Sequence, residues 1–202
     1  YIVFLLAGIL PWRWATGVIT ESSQALTKEA KLVRSTGIPR EIWVLRVVGS
    51  KFVSEFAFAL PVLIGFLIAL RVPVAWHVIF DYPLAILIEA ALILGIGLFL
   101  ASLSVLYRDL LRVIRVIIRV LFYASPILYS VTVVRDRLAG VLGDLYTYNP
   151  FVGVLELYRR PIFESEFAGW GVVAQAAVIS VAWLAFGLFV FRRLESTVLK
   201  EI

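Results

Sequence analysis

The sequence predicts an all-α integral membrane protein, a single domain over residues 1–202 with about five transmembrane helices. Three observations lead there. Hydrophobic residues make up 62% of the chain, where about 45–50% is ordinary for a globular protein. Charged residues are only 16%, against about 25%, and the mean hydropathy is +0.98. From Gly169 to Phe191 run 23 residues without a charge, which at about 1.5 Å each cross a hydrocarbon core of about 30 Å. Gly 13, Pro 8 and Cys 0 exclude collagen-like, disordered and disulfide-framed chains, and leave no thiolate for a metal or a nucleophile.

Taken in order, the first span is Tyr1–Thr20, apolar but carrying Pro11 and Arg13. It opens in mid-pattern without Met, so the reading expects a fragment that lacks an N-terminal element. Glu21–Ile42 follows as a short amphipathic helix, with Leu26, Ala30 and Val33 on one face and Lys28, Glu29, Lys31 and Arg34 around them; Gly37 and Pro39 end it. Either it lies on the inner leaflet or it docks into a cytoplasmic partner. Phe52–Leu70 is a span in which Lys51 and Glu55 form an i, i+4 pair. Pro83–Leu106 is another, with Glu89 as its one charge and small residues at 91/95 and 97/101 for close helix packing.

Val116–Val134 is expected to span despite Pro126. Arg135–Ala168 is too long for an unstructured loop and holds two apolar pieces, LAGVLGDLY and PFVGVLELY, the second started by Pro150. These are short interfacial or re-entrant helices, and form a gate or a passive cap. Gly169–Phe191 closes the set, followed by Arg192 and Arg193.

Between the spans, thirteen Lys and Arg fall on the side of residues 21–51 and five on the other. This excess places the C-terminus in the cytoplasm. The formal charge of +5 is therefore a matter of topology, with no basic face for nucleic acid.

No enzyme site emerges. His77 is alone, no metal cluster can be assembled, and a Walker A loop is absent. The informative cluster is basic: Arg108, Arg112, Arg115 and Arg119 step by 4, 3 and 4 along one helix face. Arginine at such depth either contacts an anionic headgroup or snorkels to the membrane lipids. Glu89 needs a partner on another helix, or water, or a proton. Trp12, Trp14, Phe52, Phe56, Phe122, Tyr123 and Tyr129 suit an interfacial belt, core packing or a pore on which sugar rings stack.

In order, Gly8-Ile9-Leu10-Pro11-Trp12, Ile38-Pro39-Arg40, Tyr107-Arg108-Asp109, Ser125-Pro126-Ile127-Leu128-Tyr129, Tyr148-Asn149-Pro150 and the closing FRRLE resemble one family across nearly all of the chain. It is the membrane subunit of bacterial ABC exporters of lipid-linked polysaccharide, such as O-antigen, galactan, capsule and teichoic acid. The resemblance implies a type-2 exporter fold, six spans in the complete subunit and an amphipathic helix and one span before Tyr1. It implies a homodimer in the inner membrane with two copies of a separate ATPase, which would hold ATP and Mg, so that this chain needs no cofactor of its own. Lys28, Glu29, Lys31, Arg34, Pro39 and Arg40 would form the coupling segment. Arg115, Arg119 and Arg13 would meet the substrate headgroup; Trp12, Trp14, Phe52, Phe56, Phe122 and Tyr123 would line the channel. Tyr148, Asn149 and Pro150 would belong to the outer gate. Arg13 departs from the hydrophobic residue usual after Pro11-Trp12. The alternatives are a permease of the same architecture for small drugs or lipids, and a membrane-embedded glycosyltransferase or polymerase.

Overall fold

The computed structural model describes residues 1–28, 30–35, 38–107, 109–137 and 146–201, with the backbone alone at 33, 34, 135–137 and 196–201. Every regular element among them is helical. Four helices are long and apolar enough to cross a membrane: α1 (Ile2–Lys28), α3 (Glu41–Ala69), α4 (Val78–Leu106) and α8 (Trp170–Glu201). The shorter elements are α2 (Ala30–Ser35), α5 (Leu110–Ala124), α6 (Val131–Arg137), α7 (Pro150–Arg159) and a 3-10 turn at Glu164–Glu166.

Two expectations are corrected. Val116–Val134 is not one span. Ser125 precedes Pro126, which disfavours the helical region, and it sits extended at φ −109 and ψ 148, so α5 stops at Ala124. Fifteen residues reach about 22 Å, short of a hydrocarbon core of about 30 Å. Nor is Glu21–Ile42 a separate helix. Residues 21–28 continue α1, because Ser22, Ser23, Ala25 and Leu26 are buried by the neighbouring helices; only Ala30–Ser35 stands apart. Glu29, Gly37, Arg108 and most of LAGVLGDLY lie outside the described residues.

The bundle is built around α1 and α4, whose apolar residues form half of the main core cluster, with Trp14, Ala15 and Val18 from the first and Ala85, Leu92 and Ile93 from the second. Lipid tails are as apolar as leucine, so close backbone approach rather than hydrophobicity decides which helices touch. The small-residue pattern of α4 serves this on two faces. A Cβ at Gly95 would lie 2.5 Å from Leu184 N of α8, and one at Gly97 would lie 2.9 Å from Ser22 Oγ of α1.

Contacts between distant residues mark two ends of the bundle. Arg40 pairs with Glu195 and Glu41 with Arg192 at one, which we call the basic end. At the other, Ala75 N donates to Pro161 O at 2.8 Å and Arg160 pairs with Asp81. Here α7 ends, with Arg159 over the Phe4 ring; it starts deeper in the bundle at Pro150, where the Asn149 carboxamide caps Phe151 N at 3.1 Å. Ten residues make α7 a half-helix of about 15 Å, buried along its whole length between α4 and α8. Gly153 allows the approach, since a Cβ there would lie 2.6 Å from Ala176 Cβ.

Candidate functional site

An open groove of about 850 Å³ lies between α1, α3 and α5. Its floor is a polar stripe on α1. Arg13, Thr16, Gly17, Thr20, Glu21, Gln24 and Lys28 recur at helical spacing along one face of a largely apolar helix. The stripe runs about 22 Å toward the basic end. Lys51 and Glu55 of α3 form one wall; Arg115, Ile118, Arg119, Phe122 and Tyr123 of α5 form the other.

The charges do not pair as local spacing suggested. Lys51 Nζ lies 2.7 Å from Glu21 Oε2, and Arg13 Nε lies 2.8 Å from Glu55 Oε2, so both pairs tie α3 to α1 instead of joining Lys51 to Glu55. Gly17 leaves room for the aliphatic stem of Lys51 to cross α1. The two carboxylates of the groove are thereby used. Lys28, Arg115 and Arg119 have no carboxylate partner among the described residues, and Arg115 Nε merely bonds Leu111 O of its own helix at 3.3 Å. The groove is left with an excess of three cations over its carboxylates.

Toward the α7 end the lining becomes aromatic. Trp12 meets Phe122 edge-on at 5.9 Å, and Phe122 meets Tyr123 at 5.3 Å. Behind them Trp12 also packs on Phe151 of α7 at 5.3 Å. The other expected channel aromatics point elsewhere. Trp14 and Phe56 are 2% and 4% exposed, and with Phe52 their rings pack on one another as a group of three. Trp14 Nε1 donates to Val48 O at 3.1 Å, which fixes this group as interhelical packing.

A buried cation closes the α7 end. Arg159, 3% exposed, donates to Pro126 O and to Ile127 O, the latter at 2.7 Å, with its guanidinium 3.7 Å from the centre of the Phe4 ring. Asn149 Nδ2 donates to Ala124 O at 3.1 Å and Ser125 Oγ at 3.0 Å, and Tyr1 donates to Leu128 O. The Ser125–Leu128 turn is thus pinned by α7 and by the start of α1. Tyr148 is exposed beside it. Burial raises the Glu156 carboxyl above its ordinary range, opposed by the Ala168 amide that donates to it at 2.7 Å and by Arg159.

Glu89 finds its partner in Tyr158, whose hydroxyl donates to Oε2 at 2.9 Å. His77 is not a bare interfacial histidine. Its Nδ1 lies 2.7 Å from Asp81 Oδ2, and the other oxygen of that buried carboxylate takes Arg160 at 2.8 Å. Of the expected coupling residues, Lys28 reaches the groove, Lys31 is exposed, and Pro39 and Arg40 lead into α3. Glu29 and the Arg34 side chain lie outside the described residues.

Residues 4–163 match the family model of the ABC-2 type transporter. The chain belongs to that family. It resembles the O-antigen export system permease protein RfbA of Myxococcus xanthus, at 26% identity over 194 residues, which cover 95% of this chain and 73% of the relative. Two RfbA permeases of Klebsiella pneumoniae are 24% and 25% identical over 195 and 197 residues, each covering 96% of this chain and 73% of the relative. This ABC-2 type protein is a multi-pass membrane permease, in a family linked to polysaccharide export and typically non-catalytic, whose members imply a separate ATPase subunit. The groove residues Thr16, Thr20, Glu21 and Gln24 escaped the sequence reading. Their helical spacing was visible, but ending the first span at Thr20 cut the stripe in two.

Proposed function

We propose that this permease is the channel-forming subunit of an exporter of lipid-linked polysaccharide in a bacterial inner membrane, with its C-terminus in the cytoplasm. It acts as a homodimer and is driven by two copies of a partner ATPase, which bear on the segment from Lys28 to Arg40. The observation that supports this cargo is the groove itself: three cations without carboxylate partners among the described residues lead, along one continuous face, to the rings of Trp12, Phe122 and Tyr123. A phosphate-linked headgroup fits the cations, since guanidinium forks match phosphate oxygens in pairs. The rings offer apolar faces on which sugars slide, and the buried half-helix α7, with Tyr148, Asn149 and Pro150 at its start, serves as the gate beyond them. Arg13 borders the path while tied to Glu55, so it shapes the wall more than it binds.

The test is glycan export by cells carrying Arg115→Ala with Arg119→Ala. Export should fall by about tenfold, the order lost with one charge-assisted contact, at unchanged protein level. Undiminished export refutes the headgroup role. In reconstituted complex, stimulation of the partner's ATP hydrolysis by lipid-linked polymer and not by small amphiphiles supports the polysaccharide cargo; the reverse pattern makes this a permease for small drugs or lipids.

A further inference from the structure

At the basic end, α3 and α8 are joined by two ion pairs of opposite polarity. Arg40 Nη1 lies 2.7 Å from Glu195 Oε1, and Arg192 Nε lies 3.2 Å from Glu41 Oε1. Arg40 and Glu41 are neighbours, while Arg192 and Glu195 stand one turn apart. The order cation–anion on α3 thus faces anion–cation on α8. Sliding either helix by a turn would bring Arg40 against Arg192. Like charges in contact are disfavoured, so the reciprocal pairs define one register.

Beneath them lies an apolar cluster of Leu26, Trp43, Val44, Leu98, Ala101 and Phe191. That cluster draws its residues from α1, α3, α4 and α8, and α3 and α8 otherwise touch little among the described residues. The two ion pairs are therefore the direct ties between them. They also stand where Pro39 hands the chain from α2 to α3. From there α8 continues as one helix along the Gly95 seam of α4 to Val172 and Ala176, which pack on Gly153 of α7.

We propose that the Arg40–Glu195 and Glu41–Arg192 pairs transmit movement of the segment before α3 into α8, and so to α7, about 30 Å away along the helix. Glu41, Arg192 and Glu195 are positioning residues for transport that neither bind cargo nor dock the ATPase, while Arg40 closes the segment that receives the stroke. This rests on the reading that residues 28–40 receive the stroke of the partner ATPase. Partly exposed pairs of this kind contribute little to stability, so breaking one leaves the fold intact.

The experiment uses the complete permease–ATPase complex in lipid vesicles, comparing wild type, Glu41→Arg, Arg192→Glu and the double exchange. Three readouts are taken: co-purified ATPase, ATP hydrolysed, and cargo moved per ATP. Each single reversal should keep the ATPase bound and hydrolysing but lower cargo per ATP by about fivefold or more. The double exchange, which restores opposite charges, should recover most of it. Unchanged cargo per ATP in the single variants overturns the inference, as does a double exchange no better than either single. Loss of ATPase binding in the singles overturns it too, by making the pairs docking elements. Lys31→Cys supplies a unique thiol in a chain with no cysteine. Failure of that thiol to cross-link to the ATPase in an active complex removes the coupling reading and the inference with it. Cross-linking combined with an unmoved ratio condemns the inference alone.

Discussion

Gly187→Ala tests how α4 and α8 are held together. A Cβ at Gly187 would lie 2.8 Å from the carbonyl carbon of Gly95 and 2.9 Å from its Cα, and both are backbone atoms that cannot turn aside. Carbon–carbon contacts settle at about 3.5–4.0 Å, so the two helices must part by roughly 1 Å at the seam. Overpacking of this kind costs about 1–3 kcal/mol, equivalent to a five- to hundredfold rise in the unfolding equilibrium constant. Gly65→Ala is the matched control. It sits on α3 with nothing within 4 Å of the added methyl, and should gain about 0.5–1 kcal/mol from the helix propensity of alanine. Reversible unfolding in mixed micelles, followed by tryptophan fluorescence, reads both variants; the Trp183 backbone meets Gly95 and its ring lies 6.2 Å from Phe99 of α4, so it reports on the seam. If Gly187→Ala is as stable as wild type, or both glycines respond alike, the backbone-to-backbone seam is not what holds α4 to α8.

Other outcomes follow from the polar contacts. Arg159→Ala removes the donors to Pro126 O and Ile127 O in a buried setting, and should cost about 2–4 kcal/mol while making the Ser125–Leu128 turn a site of limited proteolysis. Tyr158→Phe leaves buried Glu89 without its donor and should cost about 1–3 kcal/mol; adding Glu89→Leu should recover part of that loss, measured as a double-mutant cycle. Glu55→Gln frees Arg13, whose side chain is 64% exposed, so unfolding should scarcely change. Titration with a fluorescent anionic lipid should instead show binding to the groove tightened by about two- to fivefold, with a steeper salt dependence.

What the residues alone revealed depends on how local the deciding interaction is. Long uncharged runs such as Gly169–Phe191 announced their helices, because crossing a bilayer is a matter of length and polarity. Pro150 after Asn149 announced the start of α7 for an equally local reason. The fifth span failed where one residue, Pro126, outweighed an apolar pattern on both sides of it. Lys51 and Glu55 were matched to each other because i, i+4 partners are visible in one dimension. Their actual partners, Glu21 and Arg13, are visible only once α1 and α3 lie side by side. His77 with Asp81 could have been read from the same i, i+4 rule, whereas Arg160 could not. Trp14 and Phe56 show the limit of composition: an aromatic beside a span is core or channel according to its helix face, and theirs is turned into the bundle.

That contrast sharpens the meaning of the arginines on α5. In a bilayer, apolar burial does not favour a neighbouring helix over lipid, so polar pairs and small-residue seams determine the arrangement. Nearly every intramembrane charge described here has such a structural use: Arg13 with Glu55, Glu21 with Lys51, Asp81 with Arg160, and Glu89 with Tyr158. Arg115 and Arg119 have none. They tie α5 to no other described helix, while the contacts of α5 at its far end are made by the Phe122 ring and by the backbone at Ala124. Both line the groove beside the charges of α1 and α3, and neither has any hold on the fold among the described residues. Removing both should therefore leave stability unchanged while altering what the groove accepts, the outcome expected of the proposed headgroup contacts.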